Sequence, residues 1–369
     1  MNVRHILADT MCRCQPVRCA LLAVALLQPL ISTRAGEPVL APAESLPRTL
    51  RETGLYGPGG GRELAPGIVP FSPQYPLWSD GADKRRWLSM PEGAFIDARN
   101  PDEWEFPPGI RLWKEFAHDG RRVETRYIAR RGDGSWQFAA YVWNADGSDA
   151  VLAPDRGIAA LPALGAPGGR YAIPSRNDCL ACHGSGAVPV LGVSALQLSP
   201  DRDPLAPHIA PGGTDEIDLR ALVTRGWLRN LPPLVLERAP RVAGSSPVER
   251  AALGYLHANC GNCHNASAAR VPVRLNLAQS VADPGGSRAA ALRTTVQAAS
   301  RYQPPGPQEY PSVVAAGHAE ASVLALRMAS RDPQVQMPPL GTRIPDVQGL
   351  ALVRRWIDHH LSQPKEPPP

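Results

Sequence analysis

The pattern of apolar and polar positions gives the first half of the chain the character of a β-sheet. Residues 122–130 and 135–143 have strand-like composition and flank the turn Arg131-Gly132-Asp133-Gly134, an arrangement typical of a β-hairpin. Residues 110–116 and 150–152 predict further short strands. We therefore expect an antiparallel β domain in this part of the chain.

The expected β domain is rich in tryptophan. Six of the eight tryptophans lie between residues 78 and 143. Tryptophans in a small β domain more often form its core than a ligand surface, so we assign no catalytic role to any residue here. The preceding residues 36–66 are rich in proline and glycine and predict an extended lead-in.

Helical signals are clearest in the last third of the chain. Ser246-Pro247-Val248-Glu249 has the form of a capping box with proline at the first helical position, which predicts a helix leading to Cys260. Asp346 predicts the start of a last helix. The apolar residues of that helix recur at helical spacing: Leu350, Val353, Trp356, Ile357 and Leu361.

Composition is that of a globular protein, since 43% of the residues are hydrophobic and 20% are charged. The 41 prolines predict many loops and short elements. The formal charge of +5 includes four arginines and one acid in residues 1–35, and the remaining 35 basic and 33 acidic residues nearly balance. No basic cluster with interleaved aromatic residues stands out, so we expect no nucleic-acid partner.

The amino terminus has the features of an export signal. Basic residues up to Arg18 precede an apolar run of 13 residues, 19–31. The run is short of the roughly 20 residues that span a membrane. We expect cleavage after Ala35, a signal peptide of residues 1–35, a mature protein in the periplasm and no membrane span after cleavage.

Each of the seven cysteines belongs either to the expected signal peptide or to one of two motifs. Three of the seven, Cys12, Cys14 and Cys19, belong to the expected signal peptide. The other four form two motifs, Cys179-Leu180-Ala181-Cys182-His183 and Cys260-Gly261-Asn262-Cys263-His264.

Cys-x-x-Cys-His is the attachment signature of c-type haem. The two thiols add to the vinyl groups of the porphyrin, and the next residue supplies the proximal imidazole, His183 or His264, to the iron. A four-thiolate zinc site would leave both histidines unexplained, and disulfides within the two motifs would constrain little of the chain. The sequence therefore predicts two covalent haem c groups.

The second iron has a candidate distal ligand. Cytochromes c typically hold the iron between histidine and methionine. Met337-Pro338-Pro339 lies just ahead of the last predicted helix, as a distal ligand should, so we predict Met337 as that ligand. Met328 is its competitor, and a core role for either methionine is the alternative.

The first iron has a less certain partner, because residues 184–259 contain no methionine. His208 is the candidate axial ligand there. Met90 from the β domain and an open position are the alternatives. His257 is interpreted as an exposed helix residue. The choice bears on function, since two firm ligands suit electron transfer and a vacant position permits peroxide or oxygen chemistry.

Six segments together carry a resemblance to a known family: 75–87 (YPLWSDGADKRRW), 124–126 (ETR), 141–144 (YVWN), 179–183 (CLACH), 259–264 (NCGNCH) and 337–339 (MPP). On these segments the chain resembles a family of exported dihaem proteins with cytochrome c domains, whose substrate is unassigned. The resemblance spans most of the mature chain. It implies export and haem binding, with the pattern of the second haem falling on Cys260, Cys263, His264 and Met337.

The fold class expected from these parts is a multidomain α+β protein, in which an N-terminal antiparallel β domain precedes mostly α-helical, cytochrome c-like haem domains. The expected boundaries are the signal peptide at 1–35, the lead-in at 36–66, the β domain at 67–155, the first haem region at 156–240, the cytochrome c domain with the second haem at 241–362 and a proline-rich tail at 363–369.

The expected function is that of a periplasmic dihaem c-type cytochrome that exchanges electrons with a redox protein, either a dehydrogenase or another cytochrome. No nucleophile or acid/base pair is recognisable, which favours electron transfer over catalysis in its own right. One alternative is an enzyme similar to dihaem peroxidases and oxidases, with an open first haem. A haem-based sensor or binding module is another.

Overall fold

The computed structural model describes residues 46–58, 63–209, 215–267, 271, 273–305 and 311–361. The expected signal peptide with its three cysteines and the expected proline-rich tail lie outside these residues. All described residues belong to one compact unit. Within the described ranges, every helix is too short or too polar to cross a membrane.

Ten strands lie within the described residues: β1 (Ile68–Pro70), β2 (Asp83–Ser89), β3 (Ile96–Asp97), β4 (Arg111–His118), β5 (Arg121–Arg130), β6 (Trp136–Trp143), β7 (Ala150–Leu152), β8 (Ile158–Pro162), β9 (Arg170–Ile173) and β10 (Leu228–Arg229). The central element is a six-stranded antiparallel sheet with the strand order β1-β2-β4-β5-β6-β7. The predicted hairpin is confirmed as β5 and β6, and the turn at residues 131–134 connects them.

Both faces of the sheet are covered. Trp87, Trp113 and Tyr141 lie on one face and pack against the segment around Leu50 and Leu55. The other face presents Leu88, Leu112 and Phe138 to residues of the first haem region, among them Val190 and Leu198. Five tryptophans of this region are buried core residues, as predicted, namely Trp87, Trp104, Trp113, Trp136 and Trp143.

The helices are short, and the prediction of mostly α-helical haem domains is wrong. The sheet is the largest element of the fold, and much of the chain between the helices forms turns and loops. Proline lacks the backbone N–H that a continuing helix needs, which limits helix length in this proline-rich chain. The part of the chain that the structure describes forms seven α-helices: α1 (Arg176–His183), α2 (Leu219–Thr224), α3 (Pro233–Glu237), α4 (Pro247–Asn259), α5 (Pro284–Thr295), α6 (Val323–Ala329) and α7 (Val347–His360).

The two helix starts predicted from capping residues are confirmed. Ser246 Oγ accepts a hydrogen bond from the Glu249 backbone N–H at 3.1 Å, and α4 begins one residue after this serine. Asp346 caps α7 by accepting from the Gly349 N–H at 2.9 Å. Helices α4 and α7 pack in one hydrophobic core, where the Tyr255 ring lies against Gly349.

Candidate functional site

The first cysteine motif lies on helix α1, directly after β9. Ser175 Oγ accepts from the Asp178 N–H at 3.1 Å, and the Asp178 carboxylate accepts from the Ser175 N–H at 2.8 Å. This capping box fixes the start of an eight-residue helix. Cys179, Cys182 and His183 are thereby held on one short element that packs against β6.

The His183 ring has a defined tautomer. Its Nδ1 lies 2.6 Å from the carbonyl oxygen of Pro189, and because a carbonyl only accepts, Nδ1 carries the proton. Burial lowers the pKa of His183 to about 4, helped by the positive charges of Arg126 and Lys114. The ring is therefore neutral at pH 7 with its lone pair on Nε2, as expected of a proximal iron ligand.

The second cysteine motif follows the last turn of α4, with Cys260 as the C-cap residue. Burial raises the pKa of the Cys260 thiol to about 12. His264 is buried as well, and its Nδ1 has no hydrogen-bond partner among the described residues. Burial and then the nearby Arg327 charge lower the pKa of His264. A buried ring nitrogen without a partner is a position that a metal ion or a donor group completes.

Arg327 of helix α6 connects the second motif to the methionine loop. Its backbone oxygen accepts from the Met337 N–H at 2.9 Å, and its Nε donates to the Val335 carbonyl at 2.7 Å. The same guanidinium influences His264 electrostatically. The half-buried Met337 is therefore held against α6, whereas Met328 of α6 lies in the hydrophobic core.

The two motifs meet although they are far apart in the sequence. The Cys182 and Cys263 thiols are neighbours, and their interaction raises the pKa of Cys182 and lowers that of Cys263. All four cysteines are free thiols. The described part of the chain has no cluster of three His, Cys, Asp or Glu side chains that would hold a metal ion, so a four-thiolate zinc site is not assembled.

A cavity of about 520 Å³ borders both motifs. Ligand pockets are typically about 300–1,000 Å³ and mostly apolar with a few polar groups. The apolar part of this lining suits a porphyrin face, and the thiols and His183 suit covalent attachment and iron ligation, so the residues fit a haem c group. The lining includes Cys179, Cys182 and His183 of α1, Lys114, Arg126 and Phe138 of the sheet, and His257, Gly261 and Asn262 beside the second motif.

His257 also faces this cavity and is not the exposed residue that the sequence suggested. Its Nδ1 accepts a hydrogen bond from the Gln279 backbone N–H at 3.0 Å. Burial lowers the pKa of His257 to about 4, so the ring is neutral at pH 7. The accepting Nδ1 places the proton on Nε2, and that nitrogen therefore has no lone pair for iron.

His208, the predicted axial ligand of the first iron, lies elsewhere. Its Nε2 is hydrogen-bonded to both carboxylate oxygens of Asp346, at 2.8 and 2.9 Å, and its ring lies 4.8 Å from the Trp78 ring. It is not among the residues that line the cavity beside His183. Burial would raise the pKa of Asp346, but the hydrogen bond from His208 contributes to a pKa below the ordinary value.

Sequence reasoning gave residues 75–81 no structural role, yet this segment joins the sheet to the second motif. The Trp78 N–H donates to Asn259 Oδ1 at 2.7 Å, next to Cys260. The Asp80 carboxylate accepts from the Arg343 N–H at 2.8 Å in the loop before α7. These contacts join residues distant in sequence, and the only sequence signal was the segment's place in the family resemblance.

Comparison of the chain with protein families, with curated proteins and with solved structures gave no match.

Proposed function

We propose that this chain carries two covalent c-type haems and transfers electrons between them and a redox protein in the periplasm. Cys179 and Cys182 attach the first haem, with His183 as proximal ligand. Cys260 and Cys263 attach the second, with His264 as proximal ligand. Haem iron, when bound, supplies reversible one-electron chemistry.

The observation that carries this proposal is the contact between Cys182 and Cys263. The Cys182 and Cys263 thiols, one from each motif, each shift the pKa of the other, so the two attachment points are neighbours. Two unrelated structural sites have no need for such a contact. Two redox groups that exchange electrons benefit from close attachment.

The chain's own residues divide the remaining tasks. The Pro189 carbonyl fixes the His183 tautomer and orients its Nε2 lone pair. Arg327 holds the Met337 loop against α6, and Met337 is the proposed distal ligand of the second haem. The apolar part of the cavity wall would lower the polarity around a haem bound at the first site, which tunes its potential.

Haem stoichiometry tests this assignment. The full chain is expressed with haem-attachment machinery, and covalent haem is measured by the pyridine haemochrome assay. We expect two haems in the wild type and one in each of the variants Cys179→Ala/Cys182→Ala and Cys260→Ala/Cys263→Ala. A wild type without covalent haem, or variants that keep both haems, would contradict the proposal.

A second candidate function is supported by the cavity beside His183. Of the lining residues that the structure describes, none is a methionine, and His257 presents a protonated Nε2. Among the described lining residues, no thioether and no imidazole lone pair other than that of His183 thus faces the first site. This favours an open first haem that reacts with peroxide or oxygen. A high-spin signal in electron paramagnetic resonance together with peroxide turnover would support this function, and two low-spin haems without turnover would exclude it.

The proposed location and the proposed redox partner are inferred from the sequence alone. Periplasmic export predicts a purified protein whose first residue is Gly36, which amino-terminal sequencing checks. The expected partner is a dehydrogenase or another cytochrome. Reduction of the oxidised protein by such a donor in stopped-flow mixing tests this, and a protein that is reduced only by small-molecule reductants would argue against a protein partner.

A further inference from the structure

Three cations form a row across the sheet on the face toward the cavity. Arg86 of β2 is paired in register with Lys114 of β4, and Lys114 is paired with Arg126 of β5. Directly opposed residues of neighbouring strands point to the same face, and like charges in that position destabilise a sheet. All three side chains line the same cavity as His183.

Only one of these cations has an anionic hydrogen-bond partner among the described residues. Arg126 donates two hydrogen bonds to the buried Glu124 carboxylate, at 2.9 and 3.1 Å, and Tyr171 donates to Glu124 at 2.7 Å. The Lys114 ammonium makes no hydrogen bond to any described residue and lies 4.9 Å from the Phe116 ring centre.

Arg86 is the cation of this row that is buried with an unsatisfied hydrogen-bond donor. It is 8% exposed, and its Nη2 is buried without a hydrogen-bond partner in the described part of the chain. Glu216 acts on Arg86 electrostatically, but its carboxylate accepts a hydrogen bond from Ser72 Oγ at 2.7 Å. A buried guanidinium N–H without an acceptor is costly and marks a position that a ligand fills.

Electrostatics favour the same conclusion. Burial and then the neighbouring positive charges, Arg86 foremost, hold the pKa of Lys114 well below its usual range. Burial likewise lowers the pKa of Arg86 to about 10. The Glu124 carboxylate balances one of three positive charges, so a further anion would relieve the repulsion that remains.

We propose that Arg86, Lys114 and Arg126 form a binding site for a carboxylate ligand in the cavity beside His183. A guanidinium matches the two oxygens of a carboxylate, and the adjacent ammonium adds a third donor. The carboxylate comes either from a propionate of the haem attached at Cys179 and Cys182 or from a small dicarboxylate that enters the cavity. The first source rests on the proposed function, and the second does not.

The experiment combines two measurements on the full-length haem-loaded protein at fixed ionic strength. The variants are Arg86→Gln and Lys114→Leu, and the matched control is Arg85→Gln, whose side chain is exposed on the opposite face of β2. Calorimetric titration with succinate detects a free ligand. A redox titration detects a propionate, because removal of a nearby cation shifts the midpoint potential of one haem to a more negative value.

Two results support the site and identify the source. Succinate binding that weakens at least tenfold in both variants, with the control unchanged, indicates a free dicarboxylate. Absence of succinate binding, with a negative shift of one midpoint potential in both variants and none in the control, indicates a propionate. If neither property changes, the site is refuted. A changed haem spin state in Lys114→Leu would make Lys114 an iron ligand and refute its role here.

Two controls separate this proposal from failures elsewhere. If the purified protein holds no haem, the proposed function fails, and succinate titration of the haem-free chain still decides the anion site. Misfolding is checked by circular dichroism. Because the row contains like charges, Lys114→Leu should unfold at the same temperature as the wild type or at a higher one.

Discussion

Gly254 lies in helix α4 at the point where the Tyr75 ring rests on the helix backbone. A Cβ added at Gly254 would overlap this ring, with Tyr75 Cδ1 at 2.6 Å and two further ring carbons closer still. Tyr75 is 2% exposed, and its hydroxyl donates to the buried Asp203 carboxylate at 2.9 Å. The ring therefore has little freedom to move, and Gly254→Ala should force the segment around Tyr75, between β1 and β2, away from α4.

The expected cost follows from three contributions. Overpacking costs about 1–3 kcal/mol, and loss of the Tyr75 hydrogen bond to a charged acceptor costs about 1.5–3 kcal/mol. Alanine gains about 1 kcal/mol over glycine from helix propensity. Gly254→Ala should therefore lower the free energy of unfolding by about 2–5 kcal/mol.

Urea unfolding followed by far-ultraviolet circular dichroism measures this loss. The matched control is Gly285→Ala in α5, where an added Cβ meets nothing within 4 Å, so the free energy of unfolding should stay equal or rise by up to about 1 kcal/mol. The combination of Gly254→Ala with Tyr75→Leu should cost less than the sum of the two single changes. Equal unfolding midpoints for the wild type and Gly254→Ala would refute the packing argument.

Two further predictions concern the second haem region. Met337→Leu should lower the midpoint potential of one haem and make it partly high-spin in electron paramagnetic resonance, whereas Met328→Leu should leave both signals unchanged. Arg288→Met should lower the free energy of unfolding, measured in urea at pH 7, by about 2 kcal/mol. The reason is that Arg288 Nε donates a hydrogen bond at 2.6 Å to the buried Glu249 carboxylate. Arg293→Met is the control and should leave the free energy of unfolding unchanged. Burial raises the pKa of Glu249, but the Arg288 hydrogen bond and others bring it below the ordinary value, so this stabilisation is lost as the pH falls through the lowered pKa. If the loss of unfolding free energy in Arg288→Met is the same at pH 7 and below about pH 4, this linkage is contradicted.

Local signals predicted the local structure well. The serine and aspartate caps gave the starts of α4 and α7, and the turn at residues 131–134 gave the hairpin, because each depends on neighbours within a few residues. The helical haem domains were overestimated, because the local signals of two helices, α4 and α7, were extended to the whole of both haem regions. The many prolines, which the composition already showed, restrict the helices to short pieces.

Contacts between residues that are distant along the chain could not be predicted from the sequence. His208 was chosen as an iron ligand because few other candidates stood near His183 along the chain. In the fold its Nε2 is hydrogen-bonded to Asp346, which nothing in the local sequence indicated. The row of Arg86, Lys114 and Arg126 appears only when the strand register is known, since the three residues lie on separate strands.

The most direct test of the central claim is the intact mass of the protein purified from the periplasm, measured under denaturing conditions. We predict the mass of residues 36–369 plus two haem groups, because thioether bonds survive denaturation. The mass of the bare chain would contradict the account. A bare chain two hydrogens lighter would also contradict it and would indicate a disulfide between two of the four motif cysteines.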